Sequence, residues 1–232
     1  MGLPDARDRE GLLRTLRDET DYRALRWAVF HLVNRHELGP EEVAHLIDLL
    51  GRTEDPDVVR AVLWGLAASR DPEVVPVVAQ MALSNQLPSM RIEALRSLAA
   101  LEGKASGQIL REILVADSQE EVRAQAAAIL GLVRSSDPAA VSDLGRSALS
   151  DPSPAVRMAS IDALAASSLS QAAAGLTAVA ERGLDSGERF RAREHLDRAR
   201  RVAEANGGDL TRLFSEPSDP MTAGAEPSHH QD

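Results

Sequence analysis

The sequence is poor in the residues that build most large cores. It has no cysteine, and Phe, Trp and Tyr together supply only six of its 232 residues. So little aromatic volume argues against a single bulky core, a β-sandwich or a β-barrel, which draw on aromatic and β-branched side chains. Without cysteine the fold needs no disulfide, and therefore no oxidising compartment.

Long apolar runs and an excess of basic residues are also lacking. No apolar stretch approaches the roughly 20 residues that a membrane span requires, and the charged first ten residues show no apolar secretion signal. The 36 acidic residues outweigh the 26 basic ones, giving a net charge of −10. This balance disfavours general adhesion to nucleic acid or to anionic membranes. We therefore expect a cytoplasmic protein with neither as a partner.

Alanine and arginine are abundant instead. Alanine occurs 37 times, and Lys104 is the single lysine beside 25 arginines, a bias typical of a GC-rich bacterial genome. A similar apolar phrase recurs six times and ends each time on a leucine, which we call the anchor leucine. The anchors are Leu32, Leu66, Leu98, Leu130, Leu164 and Leu196. Their separations of 32 to 34 residues indicate an internal repeat.

Each period contains two amphipathic segments, because apolar residues recur at spacings of three and four. The predicted helix pairs are 5–18 with 21–36, 40–51 with 56–69, 72–84 with 88–101, 105–116 with 119–133, 138–149 with 154–167, and 170–183 with 186–205. Asp-Pro pairs at Asp55, Asp71, Asp137 and Asp151 are predicted to mark helix starts, since Asp caps a helix and Pro fits its first turn.

This pattern resembles the HEAT repeat, in particular the short bacterial type related to the repeats of phycobilisome lyases. The resemblance is carried by Asp-Pro, Val-Arg, a small residue and Leu-Gly or Leu-Ala, clearest at residues 151–165 and 122–131. It implies an all-α, right-handed α-solenoid (an α-α superhelix, armadillo-like) of about six helical hairpins over residues 1–206. It implies a shape and not a chemistry.

The repeated residues have predicted structural roles. The anchor leucines and the small residues Ala94 and Ala126 should be buried between layers. The arginines Arg91, Arg123 and Arg157 are expected to form a ladder by hydrogen-bonding an Asp or a carbonyl group of a neighbouring turn, in preference to binding a ligand.

By the same resemblance, the second helix of each pair should line the concave face. Two columns there, six and two residues before each anchor, are four apart and hence adjacent on the helix surface. In the first repeats these columns hold arginine and aromatic residues, the types enriched at protein interfaces. With the adjacent Trp27, the candidate partner-binding residues are Arg26, Trp27, Phe30, Arg60, Trp64 and Arg96. The three aromatic residues among them either line a groove or seal the first core layers.

No catalytic or metal-binding motif is present. The sequence lacks a Gly-x-Ser-x-Gly elbow, a phosphate-binding loop and a His-Glu-x-x-His motif. His31, His36 and His45 do not share a helix face, and His229 and His230 lack a third ligand. Residues 207–232 are acidic, contain Pro and have little apolar content, so we expect a disordered tail. We expect no enzyme activity, no cofactor and no metal.

Three functions remain open at this stage. The first is a non-catalytic scaffold or adaptor that binds a protein or peptide along the concave face. The second is a bilin-lyase-like, chromophore-handling protein, suggested by the repeat subtype. The third is a HEAT-like DNA glycosylase, although that activity calls for a basic channel and a catalytic acid, whereas this chain is acidic and the centre of its predicted groove is alanine. The scaffold is the preferred hypothesis.

Overall fold

The computed structural model describes Asp5 and residues 8–101, 104–133, 136–167 and 170–205. Within these ranges the chain is helical, and no strand is found. The helices are Arg9–Asp18 (α1), Tyr22–Arg35 (α2), Pro40–Arg52 (α3), Pro56–Ser69 (α4), Val75–Ser84 (α5), Pro88–Leu101 (α6), Lys104–Ala116 (α7), Glu120–Val133 (α8), Pro138–Ser150 (α9), Pro154–Ala165 (α10), Ser170–Arg182 (α11) and Ser186–Ala205 (α12), with a short 3-10 helix at Pro72–Val74. The predicted all-α fold of six helix pairs is confirmed.

The predicted Asp-Pro helix starts are confirmed at three of four places. The Asp55, Asp71 and Asp137 side chains accept hydrogen bonds from backbone N–H groups of the turn that follows. Asp151 differs, because α10 begins three residues later at Pro154. The Asp151 carboxylate instead accepts from the Ser153 N–H and from Arg123. Asp151 therefore does not cap α10, although the helix begins at the predicted residue 154; the Asp151 side chain binds the turn and the preceding repeat instead.

The six hairpins stack so that each second helix packs on the second helix of the next hairpin. From α2 to α10 these contacts are more extensive than those between successive first helices, and α3 and α5 barely touch. The last step reverses this order, since α9 and α11 contact each other more than α10 and α12 do. A layer that is more closely spaced lies on the inner side of a curved stack. The second helices therefore form the inner layer over most of the array.

Small and branched apolar side chains fill the space between the layers. All six anchor leucines are buried, and so are Ala94, Ala126 and Ala192. The closest approach joins α8 to α10: a Cβ atom on Gly131 would lie 2.7 Å from both the Cα and the Cβ of Ala163. Only a residue without a side chain allows this spacing. The abundance of alanine thus has a structural cause, namely close packing of thin helices.

A ladder of buried ion pairs joins the turns of the later repeats. The Arg91 guanidinium donates to both carboxylate oxygens of Asp117 at 2.8 and 2.9 Å, and to the Asn85 carbonyl oxygen at 2.8 Å. Arg123 repeats this geometry with Asp151 and the Asp117 carbonyl oxygen. The predicted ladder is confirmed, and each arginine bridges its own repeat to the next.

The third step of the ladder uses a different acid. Arg157 donates to the Glu188 carboxylate at 2.8 Å and to the Asp151 carbonyl oxygen at 2.7 Å. Glu188 also accepts from the Asp185 N–H, so the carboxylate orders the turn that precedes α12. Since the ion pairs of the ladder are buried and each arginine also donates to a backbone carbonyl oxygen, they fix the orientation of successive hairpins.

Candidate functional site

Two large aromatic side chains lie exposed on the second helices of the first two repeats. Phe30 on α2 is 55% exposed and Trp64 on α4 is 43% exposed. Their rings are stacked, with centroids 6.2 Å apart and planes inclined by 22°. In a chain with six aromatic residues, this pair forms an apolar ridge that faces solvent. Phe30 and Trp64 therefore do not seal the first core layers, which was the alternative role for them.

Trp27 has a different position. It is half-buried and packs against the hydrophobic core, and its ring lies 4.5 Å from the ring of His31. His31 in turn makes an edge contact with Phe30 at 5.3 Å. Trp27 therefore lies on the core side and contacts the ridge through His31, while Phe30 and Trp64 form the exposed surface of the ridge.

Exposed arginines flank the ridge. A zigzag of surface ion pairs links them across three helices: Arg26 to Asp57 at 3.3 Å, Arg60 to Asp57 at 2.8 Å, Arg60 to Glu93 at 3.9 Å and Arg96 to Glu93 at 2.9 Å. The five residues Arg26, Phe30, Arg60, Trp64 and Arg96 thus form one continuous surface, which we call the aromatic–arginine patch. Five of the six residues selected from the sequence are brought together in it.

Sequence reasoning missed the two acids of this network. Asp57 and Glu93 hold the arginines on the face of the array, and each precedes its arginine by three residues on the same helix. This i, i+3 spacing is a sequence signal for paired charges. Their further contacts to neighbouring repeats depend on how the helices stack, which the spacing does not reveal.

The rest of the second-helix face is smoother. Ala124 and Ala128 lie at its centre, and Ile92 and Met158 on either side are half-buried. Phe190, near its C-terminal end, is 68% exposed. No stacked partner for Phe190 is present among the aromatic contacts of the described residues. The aromatic pair is therefore a property of the N-terminal end.

A second charged group, not anticipated from the sequence, lies near the C-terminal end. Asp162 accepts hydrogen bonds from Arg191 and from the His195 ring, each at 2.8 Å. Burial raises the pKa of the Asp162 carboxyl, but the hydrogen bonds and charges of Arg191 and His195 together hold its pKa below the ordinary value. The group is a charge-paired contact between α10 and α12.

Two clefts open on the other side of the array, between first helices. One of about 830 Å³ lies between α7 and α9, and one of about 640 Å³ lies between α3 and α5. The first contains the buried Asp143 carboxylate, which is paired with both Arg111 and Arg146. The second is mostly apolar, with Ile47, Leu50 and other α3 and α5 side chains in its walls. It exists because α3 and α5 barely touch.

The described ranges contain no group of three or more His, Asp or Glu side chains placed to hold a metal ion. His45 bonds the Glu41 carbonyl oxygen through its ring. None of the helices described above combines the length and apolar character needed to cross a bilayer. The predicted tail at 207–232, with His229 and His230, lies outside the described residues.

The fold and the face define an α-solenoid protein built from stacked helical hairpins. Models of HEAT repeats match residues 9–99, 43–128 and 107–197, which together span most of the chain. The chain belongs to the HEAT-repeat family, as its sequence pattern predicted.

A comparison with curated protein sequences gives no match. Among solved structures, human deoxyhypusine hydroxylase in complex with glycerol is similar at 18% identity, covering 85% of this chain and 84% of that one, with a TM-score of 0.45. A likeness at this level does not extend to the enzyme's activity.

Proposed function

We propose that this protein is a non-catalytic scaffold that binds a segment of another protein on its second-helix face, beginning at the aromatic–arginine patch. The observation that carries the proposal is the exposed stack of Phe30 on Trp64. Folding ordinarily buries such side chains, and each would bury a large apolar area against a partner. Aromatic and arginine side chains together are the types that dominate binding energy at interfaces.

The fold supports this function in general terms. HEAT arrays present a long surface built from repeated helices, and they typically act as scaffolds, without catalysis. The acids closest to the patch, Asp57 and Glu93, are paired with arginine. Ala124 and Ala128 leave the centre of the face without the aromatic pocket or the catalytic acid that the chromophore-handling and glycosylase hypotheses require.

Site-specific photocrosslinking tests the proposal. A photoreactive phenylalanine analogue at position 30 preserves an aromatic ring in the patch, and the same analogue at position 17 lies on the exposed surface of α1, outside the patch and the two clefts. In an extract of the host cells, we expect position 30 to yield a discrete crosslinked protein that position 17 does not yield. Arg60→Glu in the same chain should abolish that product.

A pull-down provides the second readout. The double variant Arg60→Glu/Trp64→Ala should lose the partner that wild type recovers, while its circular dichroism and melting temperature stay unchanged, because both side chains are exposed. If wild type and double variant recover the same partner equally well, the patch is not the binding site.

A further inference from the structure

The aromatic–arginine patch is locally basic on an acidic chain. It contains three exposed arginines, Arg26, Arg60 and Arg96, against the two acids that pair with them, Asp57 and Glu93, an excess of one positive charge. The whole chain, by contrast, has a net charge of −10. A locally basic face on an acidic protein selects an acidic ligand.

The patch is organised in two rows that cross the helices. One row contains Arg26 and Arg60, and the other contains Phe30, Trp64 and then Arg96. Within a helix the rows are four residues apart, or about 6 Å along the helix axis. From one helix to the next, the backbone of each row advances by the spacing of packed helices, about 8–10 Å, while the ring centroids of Phe30 and Trp64 lie 6.2 Å apart. A ligand must therefore offer apolar groups opposite one row and carboxylates opposite the other.

These dimensions fit a helix. An α-helix is about 10–12 Å wide, so one lying across α2, α4 and α6 covers both rows at once, whereas a single extended chain follows only one of them. Four residues of a helix rise about 6 Å, which matches the 6.2 Å between the ring centroids of Phe30 and Trp64. Side chains at i and i+4 would then meet the two rings.

We propose that the occupant of the aromatic–arginine patch is an acidic amphipathic helix of a partner protein. This inference rests on the scaffold function proposed above and specifies its ligand. The apolar stripe of the ligand helix, at i, i+3 or i+4 and i+7, packs on Phe30 and Trp64, and the acidic residues beside that stripe pair with Arg26 and Arg60. Arg96 ends the apolar row and pairs with a further carboxylate.

The ion pairs already present in the patch allow a partner's carboxylates to bind its arginines. Asp57 and Glu93 contact the arginines at the surface, where such pairs contribute little to stability. A partner's carboxylates can share the guanidinium groups with these acids, which already hold the arginines on the face. Beyond the patch, Ala124 and Ala128 leave room for a longer helix to continue over α8.

A display experiment on the full chain tests the ligand class. One library presents Ala-based helical peptides of about 20 residues, roughly 30 Å long, randomised along one face. A matched library has the same randomised positions but a proline at every third residue, which prevents helix formation. After selection against the wild-type protein, dissociation constants of the enriched peptides are measured by fluorescence anisotropy.

We expect binders from the helical library with Asp or Glu beside apolar residues spaced by i and i+4. Their affinity should fall about tenfold or more for Trp64→Ala and for Arg60→Glu, as hot-spot losses do. It should also fall as salt rises from about 50 to 500 mM, because charge pairing is screened. Phe190→Ala and Arg17→Glu are matched controls with exposed side chains outside the patch, and they should leave affinity unchanged.

The outcomes separate the ligand class from the site. Enrichment of basic or uncharged helices, binders from the proline library alone, or no enrichment overturns the acidic-helix inference. If such non-acidic or proline-library binders still lose affinity with Trp64→Ala, the patch stands as a binding site for another kind of segment. Binders whose affinity is changed by neither Trp64→Ala nor Arg60→Glu overturn the patch as a binding site as well.

Discussion

Arginine occupies adjacent positions of the second helix in the two halves of the array. In the later repeats, Arg91, Arg123 and Arg157 stand seven residues before the anchor leucine and are buried. In the first two repeats, Arg26 and Arg60 stand six residues before it and are exposed. One residue rotates a side chain by about 100° around the helix. Arginine therefore joins turns from the third repeat onward, whereas in the first two repeats it belongs to the surface patch.

The residue that follows the first helix of the next repeat explains whether a repeat has a buried arginine. Asp117 and Asp151 supply the carboxylates that pair with the buried arginines. The corresponding turn positions of repeats two and three hold the neutral Thr53 and Asn85, whose side chains accept a backbone N–H. A buried arginine without a carboxylate would cost several kcal/mol. Accordingly, Leu25 and Val59 replace arginine at the buried position of the first two repeats.

The largest expected effect tests this difference directly. Arg123→Ala should lower the free energy of unfolding by about 3–5 kcal/mol, because it leaves the buried Asp151 carboxylate without its partner. Arg60→Ala, at an exposed ion pair of the first half, should change it by less than about 1 kcal/mol. Urea denaturation followed by circular dichroism measures both.

The charge-free double variant Arg123→Met/Asp151→Leu is the control for the ladder. Replacing a buried ion pair by apolar side chains of similar volume is often neutral, so much of the lost stability should return. Equal losses for Arg123→Ala and Arg60→Ala would remove the distinction between the two halves.

A smaller effect is expected where the helices approach most closely. Gly131→Ala should cost about 1–3 kcal/mol, because the new Cβ would overlap the backbone and Cβ of Ala163 and force α8 away from α10. At Gly65 in the first half, a Cβ would instead meet the side-chain ends of Leu46 and Val33 at 3.1 and 3.2 Å. These atoms can shift, so Gly65→Ala should cost less in the same assay.

Gly51→Ala is the control for both glycines, since a Cβ there meets no atom within 4 Å. It should be neutral or stabilise the protein by up to about 1 kcal/mol, the helix preference of Ala over Gly. A loss at Gly51 as large as that at Gly131 would contradict the packing explanation.

The smallest effect concerns pH. Burial raises the pKa of the Asp151 carboxyl, but hydrogen bonds from Arg123 and the Ser153 N–H, together with the charges of Arg123 and Arg157, hold its pKa below the ordinary value. A depressed folded-state pKa contributes stability that is present above the unfolded-state value, about 3.9, and is lost as the pH falls through the folded-state pKa. The stability gap between wild type and Asp151→Asn should therefore narrow as the pH falls from 7 to below about 4.

Urea midpoints of wild type and Asp151→Asn across this pH range measure the effect. Asp57→Asn, in the surface network of the first half, should show a smaller gap at neutral pH, since exposed pairs contribute little. A gap for Asp151→Asn that stays constant down to low pH would show that the carboxylate charge is not what stabilises the later repeats.

Much of the fold could be predicted because its signals are local. The period of the anchor leucines and the Asp-Pro starts place the helices within a few residues. Asp151 does not cap α10 for a physical reason: its carboxylate accepts a hydrogen bond from Arg123 of the preceding repeat. No pattern within one repeat reveals that competition.

The candidate site was only partly predictable, because exposure depends on neighbouring repeats. Spacing alone placed Phe30 and Trp64 on one face, but their stacking requires α2 and α4 to pack side by side. Trp27, three residues before Phe30, was selected with them and proves half-buried. The difference between these two aromatic residues is a rotation around α2, and only packing against the core decides which side is covered.

The sequence by itself determined the repeat, the helix pairs and the buried leucines, since these follow from periodicity and chain composition. Tertiary structure decided which arginines are buried and which are exposed, because a guanidinium is stable inside the array only where the next turn brings a carboxylate within hydrogen-bond distance. Stacking of separate repeats alone supplies that contact. The same stacking leaves Phe30 and Trp64 together on the surface of an otherwise alanine-lined face.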